Sequence, residues 1–304
     1  MHVRGGALSA LVSVAVASAS PALAQHLRPD TLAAMPVSQP LKVEAYGADP
    51  LQFGELRLPA GKGPFPVAVL VHGGCWTKGF ATLSYMSPLA ADLAKQGVAT
   101  WNIEYRELGD AGGGWPGSFL DWAAGTDHLR SLAKVYPLDL SRVVVVGHSA
   151  GAHAALWIAS RDRIAASSPI RGGGRPLAVK AAVAIDGPGA ITGGFLAREV
   201  AICGKPVIED FMGGAPQTAP ERYAQGDPAA LLPVRASETL VASAVLTPDE
   251  ARDYQKAAAA KGQSVNVITL NDAGHFDMLS PATPSGADVE QAILRAVGVG
   301  PSPR

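Results

Sequence analysis

Residues 143–151 read VVVVGHSAG, and this stretch decides the fold class. Four consecutive valines are typical of a strand that is buried on both faces of a parallel sheet. The next residues match G-x-S-x-G, a pattern in which a sharp turn from a strand into a helix exposes a serine hydroxyl. Glycine at positions 147 and 151 removes the side chains that would clash in such a turn. We therefore predict that Ser149 is a nucleophile; the plainer alternative is a glycine-rich start of a helix.

Strands and helices alternate along most of the chain. Apolar runs and turn signals predict eight strands, at residues 41–47, 53–59, 67–71, 98–105, 143–146, 179–185, 239–243 and 265–270. Helical patterns predict helices at residues 87–96, 118–136, 150–160, 248–261 and 287–297. Such alternation builds βαβ units, so we expect an α/β fold with a mainly parallel sheet and an antiparallel edge formed by the first two strands.

Two segments depart from this alternation. Residues 25–40 contain several prolines and predict an extended lead-in to a domain that spans residues 41–304. Residues 188–236 are rich in glycine and proline and separate two predicted strands. Long insertions at a sheet edge are usually functional, so we expect a lid-like segment that covers a substrate pocket.

The first 24 residues are typical of a secretory signal peptide. Arg4 gives a positive start, residues 7–19 are small and apolar, and an A-x-A site ends at Ala24. The alternative is an uncleaved anchor, but the apolar run is too short and too rich in alanine to span a bilayer well. We predict cleavage near Ala24, a periplasmic or secreted protein, and no membrane span in the rest of the chain.

Composition narrows the classes of function. Hydrophobic residues make up 48% of the 304 residues and charged residues 17%, which is enough apolar material for a sizeable core. The formal net charge of −1 argues against nucleic acid as a partner, because no basic surface would release phosphate counterions. We expect the partner to be a small molecule. The sequence leaves the oligomeric state open.

No metal or cofactor is predicted. The two cysteines cannot form a four-thiolate metal site or a disulfide scaffold. The sequence contains no H-E-x-x-H motif, and His148 and His153 are too far apart to share a helix face. An oxidising compartment would permit a disulfide between Cys75 and Cys203, but the sequence does not indicate whether they are close.

The segment HGGCW at residues 72–76 follows the predicted strand 67–71 directly. Attack by a serine creates a tetrahedral oxyanion, which needs fixed N–H donors in a site without water. A Gly-Gly loop lets backbone amides approach a substrate closely, and the N–H of Ala150, just after the nucleophile, would complete an oxyanion hole. A simple turn after a strand is the alternative.

The general base is expected to be His275. A serine hydroxyl is a weak nucleophile until a base accepts its proton, and histidine titrates in a suitable range. Of the seven histidines, only His275 lies on a loop beyond a late strand, downstream of the serine.

Together these three motifs resemble those of α/β-hydrolases, in the carboxylesterase-like and kynurenine-formamidase-like branch with an H-G-G oxyanion loop. The resemblance covers roughly residues 41–298 and implies an eight-stranded, mostly parallel sheet and acyl transfer through a serine ester. It implies that the N–H groups of Gly74, Cys75 and Ala150 hold the oxyanion. It also implies that Arg106 forms a structural ion pair.

The acid of the triad departs from the pattern of this branch. The usual position is an aspartate after the penultimate strand, but residues 242–248 contain no carboxylate. Asp186 ends the predicted strand 179–185 at the carboxyl edge of the sheet and could orient His275, or it could cap a turn. Asp249 is the second candidate, although Thr247-Pro248-Asp249-Glu250 is also a good helix start. The remaining carboxylates that we consider are Asp227, Asp272, Asp277 and Glu250.

We therefore expect an exported serine hydrolase that cleaves a carboxylic ester. An amide or formamide substrate is the first alternative, and a non-catalytic binding protein that keeps the fold is the second. Aromatic side chains that could line an acyl or aryl pocket, or instead pack in the core, are Trp76, Trp115, Phe119 and Trp122.

Overall fold

The computed structural model describes residues 26–300, together with His2. The predicted signal peptide, apart from His2, lies outside the described residues. Within the described part, no helix is long and apolar enough to cross a membrane.

One sheet holds the eight strands found in the described part of the chain. They are β1 (Lys42–Ala45), β2 (Phe53–Arg57), β3 (Phe65–Val71), β4 (Ala99–Ile103), β5 (Leu138–His148), β6 (Ala181–Ile185), β7 (Ser237–Ala242) and β8 (Val265–Thr269). Their spatial order is β1-β2-β4-β3-β5-β6-β7-β8. The pairs β1–β2 and β2–β4 are antiparallel, and all other pairs are parallel. The predicted fold, a mostly parallel α/β sheet with an antiparallel edge, is confirmed.

The helices that surround the sheet are α1 (Pro29–Ala33), α2 (Ser87–Lys95), α3 (Gly117–Asp127), α4 (Leu129–Leu132), α5 (Ala150–Ala159), α6 (Gly194–Cys203), α7 (Ile208–Met212), α8 (Pro220–Gly226), α9 (Pro228–Leu231), α10 (Pro248–Ala260) and α11 (Pro284–Val297). A single 3-10 turn at Leu83–Met86 precedes α2. The interval 188–236, which the sequence marks as an insertion, contains α6, α7, α8 and α9.

Three elements differ from the sequence-based expectation. The lead-in 25–40 is not extended throughout, because Pro29 occupies the first turn of α1, where its fixed φ favours a helix. The helix predicted at residues 118–136 is two short helices joined at His128, and it ends before residue 136. Strand β5 begins at Leu138 rather than at residue 143, since Leu138 already pairs with Phe65 of β3. The polar residues Asp139, Ser141 and Arg142 conceal this early start in the sequence.

The four valines of β5 explain why the sheet is buried on both faces. Val143 and Val145 pack in one apolar cluster with side chains of α3 and α5. Val144 and Val146 point to the other face and pack with side chains of α2 and α11. Side chains in a strand alternate between faces, so an unbroken apolar run requires a layer of helices on each side.

The parallel register brings three loops to one edge of the sheet. Val71 at the end of β3 pairs with Gly147, and His148 at the end of β5 pairs with Ile185 at the end of β6. Residues that directly follow these strands therefore meet at the carboxyl edge, where ligands of α/β proteins bind. The loop after β8 reaches the same edge.

Candidate active site

Ser149 lies in a strained turn between β5 and α5. Its φ of 57° and ψ of −124° are values that non-glycine residues rarely adopt. A Cβ atom added to Gly147 would lie 1.8 Å from the carbonyl oxygen of Gly151, and one added to Gly151 would lie 2.1 Å from that of Val71. Both flanking positions therefore require glycine for this turn to form. The Ser149 side chain faces a cavity of about 280 Å³.

His275 lines the same cavity as Ser149. Its Nδ1 lies 2.7 Å from Oδ2 of Asp186. A carboxylate can only accept, so Nδ1 carries the proton and Nε2 has a free lone pair in the neutral ring. The structure thus brings together Ser149, His275 and Asp186, which the sequence singles out from three separate loops.

Asp186 is fully buried and is held by backbone amides. Its carboxylate oxygens accept hydrogen bonds at 3.0 to 3.2 Å from four consecutive N–H groups, those of residues 243–246. These donors compensate for removal of the charge from water. The loop after β7, where the family resemblance would have placed an acid, here supplies amides to an acid that follows β6.

The other candidate carboxylates lie elsewhere. Asp249 is 87% exposed and pairs with Arg252, and Glu250 completes a capping box with Thr247 at the start of α10. Asp272 is exposed. Asp227 caps the start of α9, and Asp277 accepts hydrogen bonds from His26 and Leu27. The side chain of Arg106 forms a two-pronged ion pair with the buried Asp121, in agreement with a structural role.

The loop after β3 adopts an unusual backbone beside Ser149. Gly74, Cys75 and Trp76 have positive φ values of 124°, 52° and 51°. A Cβ atom on Gly73 would lie 2.6 Å from the Ser149 Cβ, so the loop and the serine turn are in direct contact. Gly74 and Cys75 line the cavity. Ala150 is the first residue of α5, and its N–H therefore has no acceptor within the helix.

A buried charge pair, His72 and Glu104, supports this loop. His72 contacts the Gly73 carbonyl through Nδ1 at 2.7 Å and Glu104 through Nε2 at 2.6 Å. Both partners are acceptors, so both ring nitrogens carry protons. Burial lowers the pKa of His72, but the adjacent Glu104 carboxylate outweighs burial and raises that pKa to about 9. His72 is therefore a charged support of the loop rather than a proton acceptor.

Cys75 and Cys203 form a disulfide, which settles the pairing that the sequence left open. The bond joins the loop after β3 to the last residue of α6, in the interval 188–236. Ile202, adjacent to Cys203, also lines the cavity. One covalent link therefore fixes both the loop beside Ser149 and a wall of the cavity.

The walls of the cavity are mostly apolar. Besides the residues already described, it is lined by Pro29, Phe80, Ala81, Tyr85, Val245 and Phe276. The aromatic residues singled out in the sequence do not line this cavity: Trp76, Phe119 and Trp122 are buried in the core, and Trp115 packs against it. Among the described residues, no group of three or more His, Cys, Asp or Glu side chains could hold a metal ion.

Residues 55–244, more than half of the chain, match the BD-FAE family model. The chain belongs to the BD-FAE family. Among curated proteins, none matches this BD-FAE member.

Solved structures of similar fold carry esterase names. Esterase B of Lactobacillus rhamnosis has 18% identity and a TM-score of 0.73, with 89% of this chain and 91% of that chain covered. A truncated carbohydrate esterase from gut microbiota has 18% identity and a TM-score of 0.69, over 86% of this chain and 97% of that one. A bifunctional GH43-CE protein of Bacteroides eggerthii has 19% identity and a TM-score of 0.66 over 83% of this chain. This chain spans only 37% of that last protein. At such identities the likeness establishes the α/β-hydrolase fold of this BD-FAE member.

Proposed function

We propose that the protein is an exported serine hydrolase that cleaves a carboxylic ester through an acyl-serine intermediate. One observation carries the proposal: His275, which is hydrogen-bonded to the buried Asp186, shares a cavity with Ser149. The esterase names of the similar structures support the same class of reaction.

In the acylation step, Oγ of Ser149 attacks the carbonyl carbon of the ester while its proton passes to Nε2 of His275. Asp186 accepts the Nδ1–H of His275, orients the ring and stabilises the imidazolium. The carbonyl oxygen becomes an oxyanion, held by the N–H groups of Gly74, Cys75 and Ala150. When the tetrahedral intermediate collapses, the proton on Nε2 moves to the departing alcohol.

Deacylation repeats these steps with water in place of serine. His275 accepts a proton from water, hydroxide adds to the acyl carbon, and the proton then returns to Oγ of Ser149 as the carboxylic acid leaves. The apolar walls of the cavity favour binding of an acyl group from which water is excluded. Such walls offer little to hold a charged substrate.

Export is part of the proposal. The predicted signal peptide motivates it, and the Cys75–Cys203 disulfide supports it, because disulfides persist mainly in oxidising compartments.

The proposal is tested on the purified protein with p-nitrophenyl acetate and butyrate, and with a fluorophosphonate probe. We expect turnover of the esters and a single covalent adduct that maps to Ser149, with both lost in Ser149→Ala. If the folded protein hydrolyses no ester and Ser149 remains unlabelled, the proposal is wrong and a binding protein becomes the better description. Faster hydrolysis of N-formylkynurenine than of any ester would instead assign a formamide substrate.

A further inference from the structure

Two buried side chains connect the loops that meet at Ser149. The Gly73 N–H, in the loop after β3, donates to the hydroxyl of Tyr85. That hydroxyl lies 3.0 Å from Nδ1 of His148, and Nε2 of His148 lies 2.8 Å from the carbonyl oxygen of His275. A single chain of hydrogen bonds therefore runs from one residue of the HGGCW loop to the backbone of the proposed base.

The direction of each hydrogen bond follows from the chemistry of the partners. The His275 carbonyl can only accept, so Nε2 of His148 must carry a proton. In the neutral ring, Nδ1 is then an acceptor for the Tyr85 hydroxyl, whose oxygen in turn accepts from Gly73. Burial, together with the nearby His275, lowers the pKa of His148 well below its ordinary value, in agreement with a neutral ring.

This chain of hydrogen bonds is held rigidly because the side chains of Tyr85 and His148 are buried and packed against their neighbours. Tyr85 is 2% exposed and His148 is fully buried. The ring of His148 lies 4.3 Å from the ring of His275 and 5.5 Å from that of Tyr85, measured between centroids. Phe276 contacts both Tyr85 and His148. Any shift of His148 would therefore move the backbone of His275.

We propose that Tyr85 and His148 are positioning residues, which set the His275 loop in register with the oxyanion loop through one hydrogen-bonded chain. The proposal rests on the proposed function. Asp186 fixes the His275 side chain, whereas His148 fixes the His275 backbone, so the two interactions constrain different parts of the same residue. A displacement of about 1 Å in a reacting group lowers a rate by up to about 100-fold.

The first test is Tyr85→Phe, which keeps the ring and removes the hydroxyl. We expect kcat for p-nitrophenyl butyrate to fall by about 10- to 100-fold while KM changes by less than about threefold, because alignment is lost and the cavity keeps its shape. Tyr223→Phe is the matched control, since Tyr223 is also buried and its hydroxyl donates to the backbone carbonyl of Gly214 at 3.0 Å. The control should lose similar thermal stability and keep its activity within about twofold.

The second test separates the two ends of His148. A glutamine at position 148 can place an N–H near the former Nε2, whereas the shorter asparagine can reach only the position of Nδ1. We expect His148→Gln to retain much more of kcat than His148→Asn. His153→Gln is the control, because His153, in α5, is buried and its Nε2 lies 2.7 Å from the carbonyl oxygen of Gly226 at the end of α8.

Combining Tyr85→Phe with His148→Asn decides whether the residues act as one chain. We expect the loss in the double variant to be at least about threefold smaller than the product of the single losses. If the losses multiply, or if kcat in both single variants stays within about twofold of wild type, the positioning proposal is wrong. Fluorophosphonate labelling of wild-type Ser149 tests the proposed function separately, so the two failures are distinguishable.

Discussion

Asp186 and His275 are 89 residues apart in the chain, and their side chains meet at 2.7 Å. Asp186 follows β6 and His275 follows β8, so the intervening strand β7 contributes no carboxylate to the pair. The loop after β7 instead donates its N–H groups to Asp186. An acid that follows β6 therefore depends on the loop after β7 for its orientation.

Asp186→Asn should lower kcat by three to four orders of magnitude, as expected when the group that orients a catalytic histidine is lost. An asparagine cannot accept the Nδ1–H with full charge, and its NH₂ group would face backbone N–H donors. Circular dichroism and thermal melting check that the variant is folded. Asp249→Asn is the control and should behave as wild type, because Asp249 is exposed on α10. A change below about threefold in Asp186→Asn would exclude the assignment.

Reduction of the disulfide should impair both stability and turnover. The bond closes a loop of 128 residues, for which the chain-entropy argument gives a stabilisation on the order of 4 to 5 kcal/mol. Cys75 carries one of the proposed oxyanion donors, and loss of such a donor costs about 100- to 1000-fold in kcat. We expect Cys203→Ser to melt at a lower temperature and to turn over at least tenfold more slowly.

The chain has only two cysteines, so a reductant is a clean second probe. Reductant should slow the wild-type protein and leave Cys203→Ser unchanged. A thiol count establishes that the bond has been reduced. If the reduced wild-type protein then keeps full activity, the bond has no role in positioning Cys75.

The length of the preferred acyl chain should depend on Ile202. Its side chain lines the cavity, and Ile202→Ala would open space at that wall. A difference of one methylene in an apolar pocket changes relative rates by roughly 10-fold or more. We expect the ratio of kcat/KM for p-nitrophenyl hexanoate to that for acetate to rise about tenfold. Val200 is on the same helix but is 53% exposed, so Val200→Ala should leave this ratio unchanged. Equal ratios in the two variants would show that Ile202 does not set the preferred acyl length.

Glu238 should make stability depend on pH. Burial raises the pKa of Glu238 from 4.5 to about 7, although hydrogen bonds from Tyr254 and Gln263 partly oppose this. Between these values the folded protein holds a proton that the unfolded chain releases. The free energy of unfolding should therefore fall as pH rises from about 4.5 to 7 and then level off.

Glu238→Gln removes this titration and keeps an oxygen acceptor for its neighbours. As pH rises from 4.5 to 8, the free energy of unfolding of the variant should increase by roughly 2 to 3 kcal/mol relative to that of the wild type. One pKa unit corresponds to about 1.4 kcal/mol. Denaturant unfolding of both proteins at several pH values measures the difference between their free energies of unfolding. The contributions of the other titratable groups cancel in this difference. Parallel stability curves would contradict the assignment.

Local patterns predicted the features that depend on neighbouring residues. The valine run and the glycines around Ser149 encode a buried strand and a tight turn within nine residues, so fold class and turn follow from the sequence. The acid remained ambiguous because the amides that hold Asp186 come from residues 243–246, in the loop after β7. Tyr85 and His148 were missed for the same reason: their relationship exists only across loops. The second position of G-x-S-x-G, occupied here by His148, was the only local signal of that relationship.

The bond between Cys75 and Cys203 also divides the site by chain topology. Ser149 and Asp186 belong to the covalent ring that this bond closes, residues 75–203, whereas His275 belongs to the segment that follows the ring. Detachment of the carboxyl-terminal third would remove the proton acceptor, His275. Ser149 and the proposed oxyanion donors would remain together in the rest of the protein. Loss of catalysis under mild denaturation would then report on the docking of that last third, before the ring itself opens.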